Sequence, residues 1–228
     1  MALSDLRKTV LQIINEVEKK LSISTSSSLT ATDYTQVLLQ LLNEVIEDCA
    51  DSGDWLELYA ETTITAASSV GSYTIAPGQL VHHIHEIAYE GQIAPLNTVD
   101  LSDINRLQRL NSFGVPRQYA LAGVSVSADP LFRVHPIPGT SQAGDLFTIS
   151  YYYKPNLLTT SDGATVPPFP ANLLIAGLLA KARLEENGGE PSREYLADLQ
   201  SYEALKHQAL NRYTGDTGFE TRLVPRRR

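Results

Sequence analysis

The chain has one cysteine, Cys49, in 228 residues, so no intrachain disulfide framework exists, which fits synthesis in a reducing cytoplasm. Nowhere do about eighteen apolar residues run together, so no transmembrane helix is expected. The opening residues, Met1 to Lys8, lead into an amphipathic helix rather than the apolar core of a secretory signal. Neither G-x-x-x-x-G-K nor G-x-G-x-x-G occurs, which removes the common phosphate-binding loops, and no G-x-S-x-G marks a hydrolase nucleophile. No internal repeat is visible. The missing features are those of secreted disulfide scaffolds, membrane spans and several large enzyme groups.

What is present describes a globular chain: 43% hydrophobic and 19% charged residues, with a net charge of −8. That length can bury a sizeable core. The negative balance argues against nucleic acid as an ordinary ligand. It is unevenly placed. The last fifteen residues carry four arginines (Arg222, Arg226, Arg227, Arg228) against Asp216 and Glu220. They are net +2 within a chain of −8, so the body before them carries −10.

Hydrophobic period divides the chain. Leu6, Val10, Ile13, Val17 and Leu21 recur at helical spacing and predict a helix over about 4–21, with Ser4 as N-cap. Ser22 to Ser28 reads as a polar link. A second helix is predicted from Thr32-Asp33, with Asp33 and Gln36 as a capping box and a stripe of Tyr34, Leu38, Leu41, Val45 and Cys49. After Trp55 the pattern turns to short β-branched runs: Thr62–Thr65, Ser72–Ile75, Leu80–Tyr89, Gln118–Leu121, Leu131–Val134 and Phe147–Tyr153. Glu90-Gly91 suggests a hairpin, and Asp100 to Arg109 a short helix. The proline cluster Val166 to Pro170 then opens the most apolar helix, Ala171–Leu184. Asn187-Gly188-Gly189 stops it, and Pro191 is placed as the first residue of a last helix bearing Tyr195, Leu199, Tyr202, Leu205 and Ala209.

These elements predict an α+β chain. Residues 1–60 and 167–213 are expected to form a four-helix bundle, with 61–166 an inserted small β-sandwich or barrel and 214–228 an extended basic tail. The apolar third helix should be the most buried.

Three groups carry possible chemistry. His83 and His85 fall on one face of a strand at metal-ligand spacing, but lack a third ligand, with Glu86 and His82 on the opposite face. Tyr151, Tyr152 and Tyr153 put two rings on one sheet face and one on the other. That suits core or a subunit interface, and less often a sugar-binding platform. Glu44, Glu47, Asp48, Asp51 and Asp54 read as a solvated helix face. Cys49, on a buried stripe, reads as an inert small hydrophobe. The readings left open are a carbohydrate-binding or adhesin module, which predicts sugar-dependent thermal stabilisation, and a metal-dependent enzyme using His83 and His85, which predicts stoichiometric zinc.

The layout resembles the head-to-tail adaptor proteins of tailed bacteriophages. The resemblance rests on the two N-terminal helices ending near Trp55 and on Ser72 to Gly78. It also rests on the proline-ended strand Phe132 to Pro138, on Phe147 to Pro155, on Val166 to Phe169 and on the Ala-rich third helix. It implies a structural, non-catalytic virion protein of the neck, without cofactor or metal. Such a protein forms a dodecameric ring beneath the portal, meets a downstream tail or nozzle protein, touches no membrane and continues a channel through which double-stranded DNA passes unbound. It implies that the C-terminal segment Leu223, Val224, Pro225, Arg226, Arg227 and Arg228 docks on the portal. Tyr151, Tyr153 and Tyr202 are the candidates for subunit contacts.

Overall fold

The structure, a computed structural model, describes residues 7–127 and 129–217, the last six of these as backbone alone. The described chain is α+β and divides into two compact units. One comprises the residues up to Glu57 together with those from Pro155 onward; the other is Leu58–Lys154.

The helical unit contains α1 (Val10–Lys20), α2 (Asp33–Asp51), α4 (Ala171–Glu186) and α5 (Arg193–Thr217). Helix α1 begins later than its stripe predicts, because Thr9 is the N-cap: its hydroxyl accepts the Gln12 amide and the Gln12 side chain accepts the Thr9 amide. Ser4 and Leu6 lie outside the described residues. In α2 the cap is Thr32, whose hydroxyl accepts the Thr35 amide at 3.0 Å, rather than Asp33. In α5 it is Ser192, bonded by the Tyr195 amide at 3.0 Å, so Pro191 stands just outside the helix. That helix continues to Thr217, so residues 214–217 are helical where an extended tail was expected.

Helix α4 is the centre of this unit. Ala171, Leu173, Leu174, Ile175, Gly177, Leu178, Leu179, Ala180 and Ala182 are all buried, and α4 packs on α1, α2 and α5. A helix apolar on every side can only be stable surrounded. At Gly177 its neighbours come closest: a Cβ there would lie 2.7 Å from Val45 Cγ1 and 2.8 Å from Tyr202 Cε2. Alanine normally gains about 1 kcal/mol over glycine inside a helix. Here overpacking of about 1–3 kcal/mol opposes that gain, so Gly177→Ala should lower the urea midpoint instead of raising it, and Gly177→Val should lower it further.

The segment after Lys154 belongs with the helices, not with the β unit as its lack of helical period suggested. Thr165 and Gly163 carbonyls accept the Val10 and Leu11 amides at 2.9 and 3.1 Å, and these are first-turn donors that α1 itself cannot satisfy. Asn43 clamps Leu158 with two bonds, Nδ2 to its carbonyl at 2.9 Å and Oδ1 from its amide at 2.8 Å. The polar link is fixed as well. Glu18, 1% exposed, accepts from the Ser26 amide, the Ser26 hydroxyl and the Thr35 hydroxyl at 2.8, 2.6 and 3.3 Å. A buried carboxylate is tolerable only when so bonded.

The β unit has two open sheets and, among the described residues, no closed barrel. One is ordered β1 (Tyr59–Thr65), β7 (Leu146–Tyr153), β3 (Val81–Tyr89), all antiparallel. The other is ordered β2 (Ser72–Thr74), β6 (Pro130–His135), β5 (Gln118–Val124), β4 (Asn97–Thr98). The hairpin expected at Gly91 is not formed. The chain does turn there, at φ 78°, but β4 pairs parallel with β5 in the other sheet. The short helix α3 (Leu101–Gln108) follows, anchored by buried Ile104. Both sheets share one core, in which Phe147 lies 4.9 Å from Tyr73, 5.0 Å from Tyr89 and 5.6 Å from Phe132, ring to ring.

Candidate functional site

Within sheet β1-β7-β3, alternation along β7 sends Phe147, Ile149 and Tyr151 into the core and Tyr152 to the other face. Tyr151 is 3% exposed, and its ring is used inside the unit. Tyr153 is half-buried and packs on the edge of the same core. Tyr152 anchors an aromatic group on the opposite face. His83 stacks on it at 4.9 Å and 21°, Tyr59 meets it edge-on at 5.7 Å, and His85 edge-on at 6.2 Å.

Glu86 is not where strict alternation puts it. A register shift between Ile84 and Glu86 pairs His83 with Tyr152 and Glu86 with Ser150. Those two β7 residues share a face, so His83 and Glu86 share one too. Sequence periodicity misses this because a bulge is invisible to it. Even so, no cluster of three or more His, Cys, Asp or Glu able to hold a metal occurs among the described residues. Nor, among them, is any helix long and apolar enough to cross a membrane.

Tyr202 sits in the helical unit, 5% exposed. Its hydroxyl donates to the Asp48 carboxylate and lies 3.4 Å from Cys49 Sγ. Lys206 Nζ bonds Asp48 at 3.0 Å and Glu203 at 3.1 Å, and lies 4.8 Å from the Tyr202 ring centre. Burial, Cys49 and Asp48 together push the Tyr202 phenol far above its ordinary value. Burial also pushes the Cys49 thiol up to about 11. Asp48 is held below the usual carboxylate range: burial works against this, and the bonds from Tyr202 and Lys206 outweigh it. The acidic face of α2 is therefore partly consumed by pairing, since Glu44 also bonds Lys181 at 2.6 Å. A lysine on a distant helix has no signal in the local pattern.

Two outcomes follow. Tyr202→Phe should cost about 1–2 kcal/mol, the worth of a hydrogen bond to a partly exposed charge, measured by urea unfolding. Because Asp48 is depressed in the folded state, its contribution is complete above the ordinary value of 3.8 and is lost as pH falls through the folded value. The variant should lose less stability on acidification than the wild type. Cys49, buried and protonated, should resist maleimide at neutral pH until the chain is unfolded, as mass spectrometry of the labelled protein would show.

The side chains with most chemical capacity here, Glu18, Asp48, Cys49, Tyr202 and Lys206, are engaged in joining helices, and the aromatic strand in joining sheets. The class of protein is given by comparison with known families. A family model described as the SU10 adaptor protein matches residues 1–227. The chain belongs to that family, within the head-to-tail adaptor group that its sequence resembles. No curated protein matches it. Among solved structures, a chain described as the neck of an empty GTA particle computed with C6 symmetry aligns over 89% of this chain and 95% of its own. Identity is 15% and the TM-score 0.28, so the family match alone carries the assignment. The C-terminal docking residues, Leu223 to Arg228, lie outside the described residues.

Proposed function

We propose that the protein is a virion component that forms a ring, dodecameric as the resemblance implies, beneath the portal, joins head to tail and continues the DNA channel. The observation that carries this is a family match spanning essentially the whole chain. The role is structural, with no reaction catalysed. The four helices of the first unit act as a bundle against the portal, and the basic segment Leu223 to Arg228 is the anchor, its arginines meeting an acidic surface. A body of net −10 suits a channel wall, because like charge keeps DNA from adhering. The ring's far side meets the next tail or nozzle protein.

Native mass spectrometry tests this reading, on the full chain alone and mixed with the portal ring of the same phage. A stoichiometric ring on the portal is expected, and truncation after Thr214 should abolish it with the fold intact by circular dichroism. A chain that ignores the portal overturns the reading; sugar-dependent thermal stabilisation would then favour a carbohydrate-binding module.

A further inference from the structure

Asn187 is the one asparagine of the chain that precedes a glycine. An asparagine side chain ends in an amide carbon, and the next backbone nitrogen is the nucleophile nearest to it. Glycine puts no Cβ beside that nitrogen, so the approach is unhindered. Asn187, Gly188 and Gly189 are all exposed, and nothing stands within 4 Å of where a Gly188 Cβ would lie. Water reaches the pair freely.

The fold nevertheless keeps the reacting atoms apart. Asn187 is the C-cap of α4, and the two glycines close the helix behind it. The Gly188 amide donates to the Glu185 carbonyl at 3.0 Å and the Gly189 amide to the Leu184 carbonyl at 2.8 Å, the paired bonds of a helix-ending turn. Gly188 and Gly189 take φ 64° and 86°, which glycine adopts without strain. At ψ 14° the Gly188 nitrogen nearly eclipses the nitrogen of Asn187 and is turned away from its side-chain carbon. That side chain is drawn back along the helix, its Nδ2 donating to the Arg183 carbonyl at 2.9 Å. Ring closure needs its atoms aligned and in contact, and here both are held elsewhere.

We propose that Asn187 is a site of spontaneous covalent conversion, latent in the closed turn and released when the turn opens. In the open turn the Gly188 nitrogen, its proton taken by hydroxide, bonds to Asn187 Cγ. The Cγ–Nδ2 bond breaks, and Nδ2 leaves as ammonia after taking a proton from water. Water then splits the cyclic imide at either carbonyl. One opening gives aspartate; the other gives isoaspartate, in which the chain runs through the side-chain carbon. Water is consumed and ammonia released, with no oxidation or reduction. Neither product restores the turn. Aspartate loses the Nδ2 donor and adds negative charge at a helix C-terminus, where the backbone already concentrates it, beside the exposed Glu185, Glu186 and Glu190. Isoaspartate lengthens the backbone, so the Gly188 and Gly189 amides no longer reach their carbonyls together. The helix so loosened is α4, on which α1, α2 and α5 pack. Conversion at the surface thus weakens the centre of the helical unit.

The full chain is incubated at mildly alkaline pH, folded or in guanidinium chloride, and conversion is followed by peptide mass mapping with chromatographic separation of aspartate from isoaspartate. Asn187 should be the first asparagine to convert in the unfolded chain. In the folded chain it should convert roughly tenfold more slowly, the protection that a bonded turn gives. Gly189→Ala leaves the reacting pair intact but places a Cβ at φ 86°, and it should raise the folded rate severalfold toward the unfolded one. The urea midpoint of the wild type should fall as conversion proceeds. That of Asn187→Gln, whose longer side chain closes its ring far less readily, should hold. An unfolded chain in which Asn187 outlasts the other asparagines overturns the site. Equal rates in the folded and unfolded wild type overturn the protection by the turn, and a converted chain with an unchanged midpoint overturns the effect on α4.

Discussion

Trp55→Ala is expected to lose about 3–5 kcal/mol, the range for removing a large aromatic ring from a packed interior. Trp55 is fully buried and lies edge-on to Phe169 at 5.0 Å and 73°. It joins the end of α2 to the proline-rich approach to α4, two segments more than a hundred residues apart in sequence. Its indole Nε1 donates to the Cys49 carbonyl at 2.7 Å, but that carbonyl also accepts the Ser52 amide and hydroxyl at 3.1 and 2.7 Å. The oxygen therefore stays satisfied without the indole, and most of the loss is cavity and contact. Trp55→Phe separates the two: it keeps a ring against Phe169 and should retain more than half of the stability lost in the alanine variant. Unfolding should be read by far-UV circular dichroism, since Trp55 is the only tryptophan and its removal abolishes the fluorescence signal.

Phe147→Ala should cost a similar amount, about 3–5 kcal/mol, but in the β unit. Phe147 is fully buried and its ring touches three others contributed by β2, β3 and β6. Tyr89 is bonded through its hydroxyl to Asp145 at 2.6 Å and Tyr73 to the Val70 carbonyl at 2.9 Å. Those tethered rings cannot slide into the space, so the cavity persists. Comparing the two variants by residue-resolved amide exchange measures coupling between the units. Protection lost by Trp55→Ala should concentrate in α1, α2, α4 and α5, and that lost by Phe147→Ala in β1 to β7. Uniform loss in both would mean that the chain melts as one cooperative body.

The helical elements were legible because their signals are local. The stripe through Leu38, Val45 and Cys49 and the all-apolar Ala171 helix each declare a buried face within a few turns. The strands were legible one by one for the same reason. Their partners were not, since nothing near Asn97 says that it pairs parallel with Gln118 instead of closing on β3. The run 155–166 has no period of its own, so only the bonds to Val10, Leu11 and Asn43 assign it to the helices. Nothing near Glu18 marks it as buried, because its partners, Ser26 and Thr35, lie in the polar link and on another helix. Tyr202 shows the same limit: its place on a stripe was visible, but Asp48 and Cys49, which claim its hydroxyl, are about 150 residues away.

The first and last strands of the β unit are neighbours, Tyr59 standing opposite Tyr152, a spacing of about 5 Å between such partners. The chain thus leaves the helical sequence and rejoins it at almost the same point. In genetic terms residues 58–154 are a cassette: recombination can exchange them for any other insert whose ends lie side by side, without lengthening or redirecting the flanking connections. The two parts of the gene are then free to diverge at different rates.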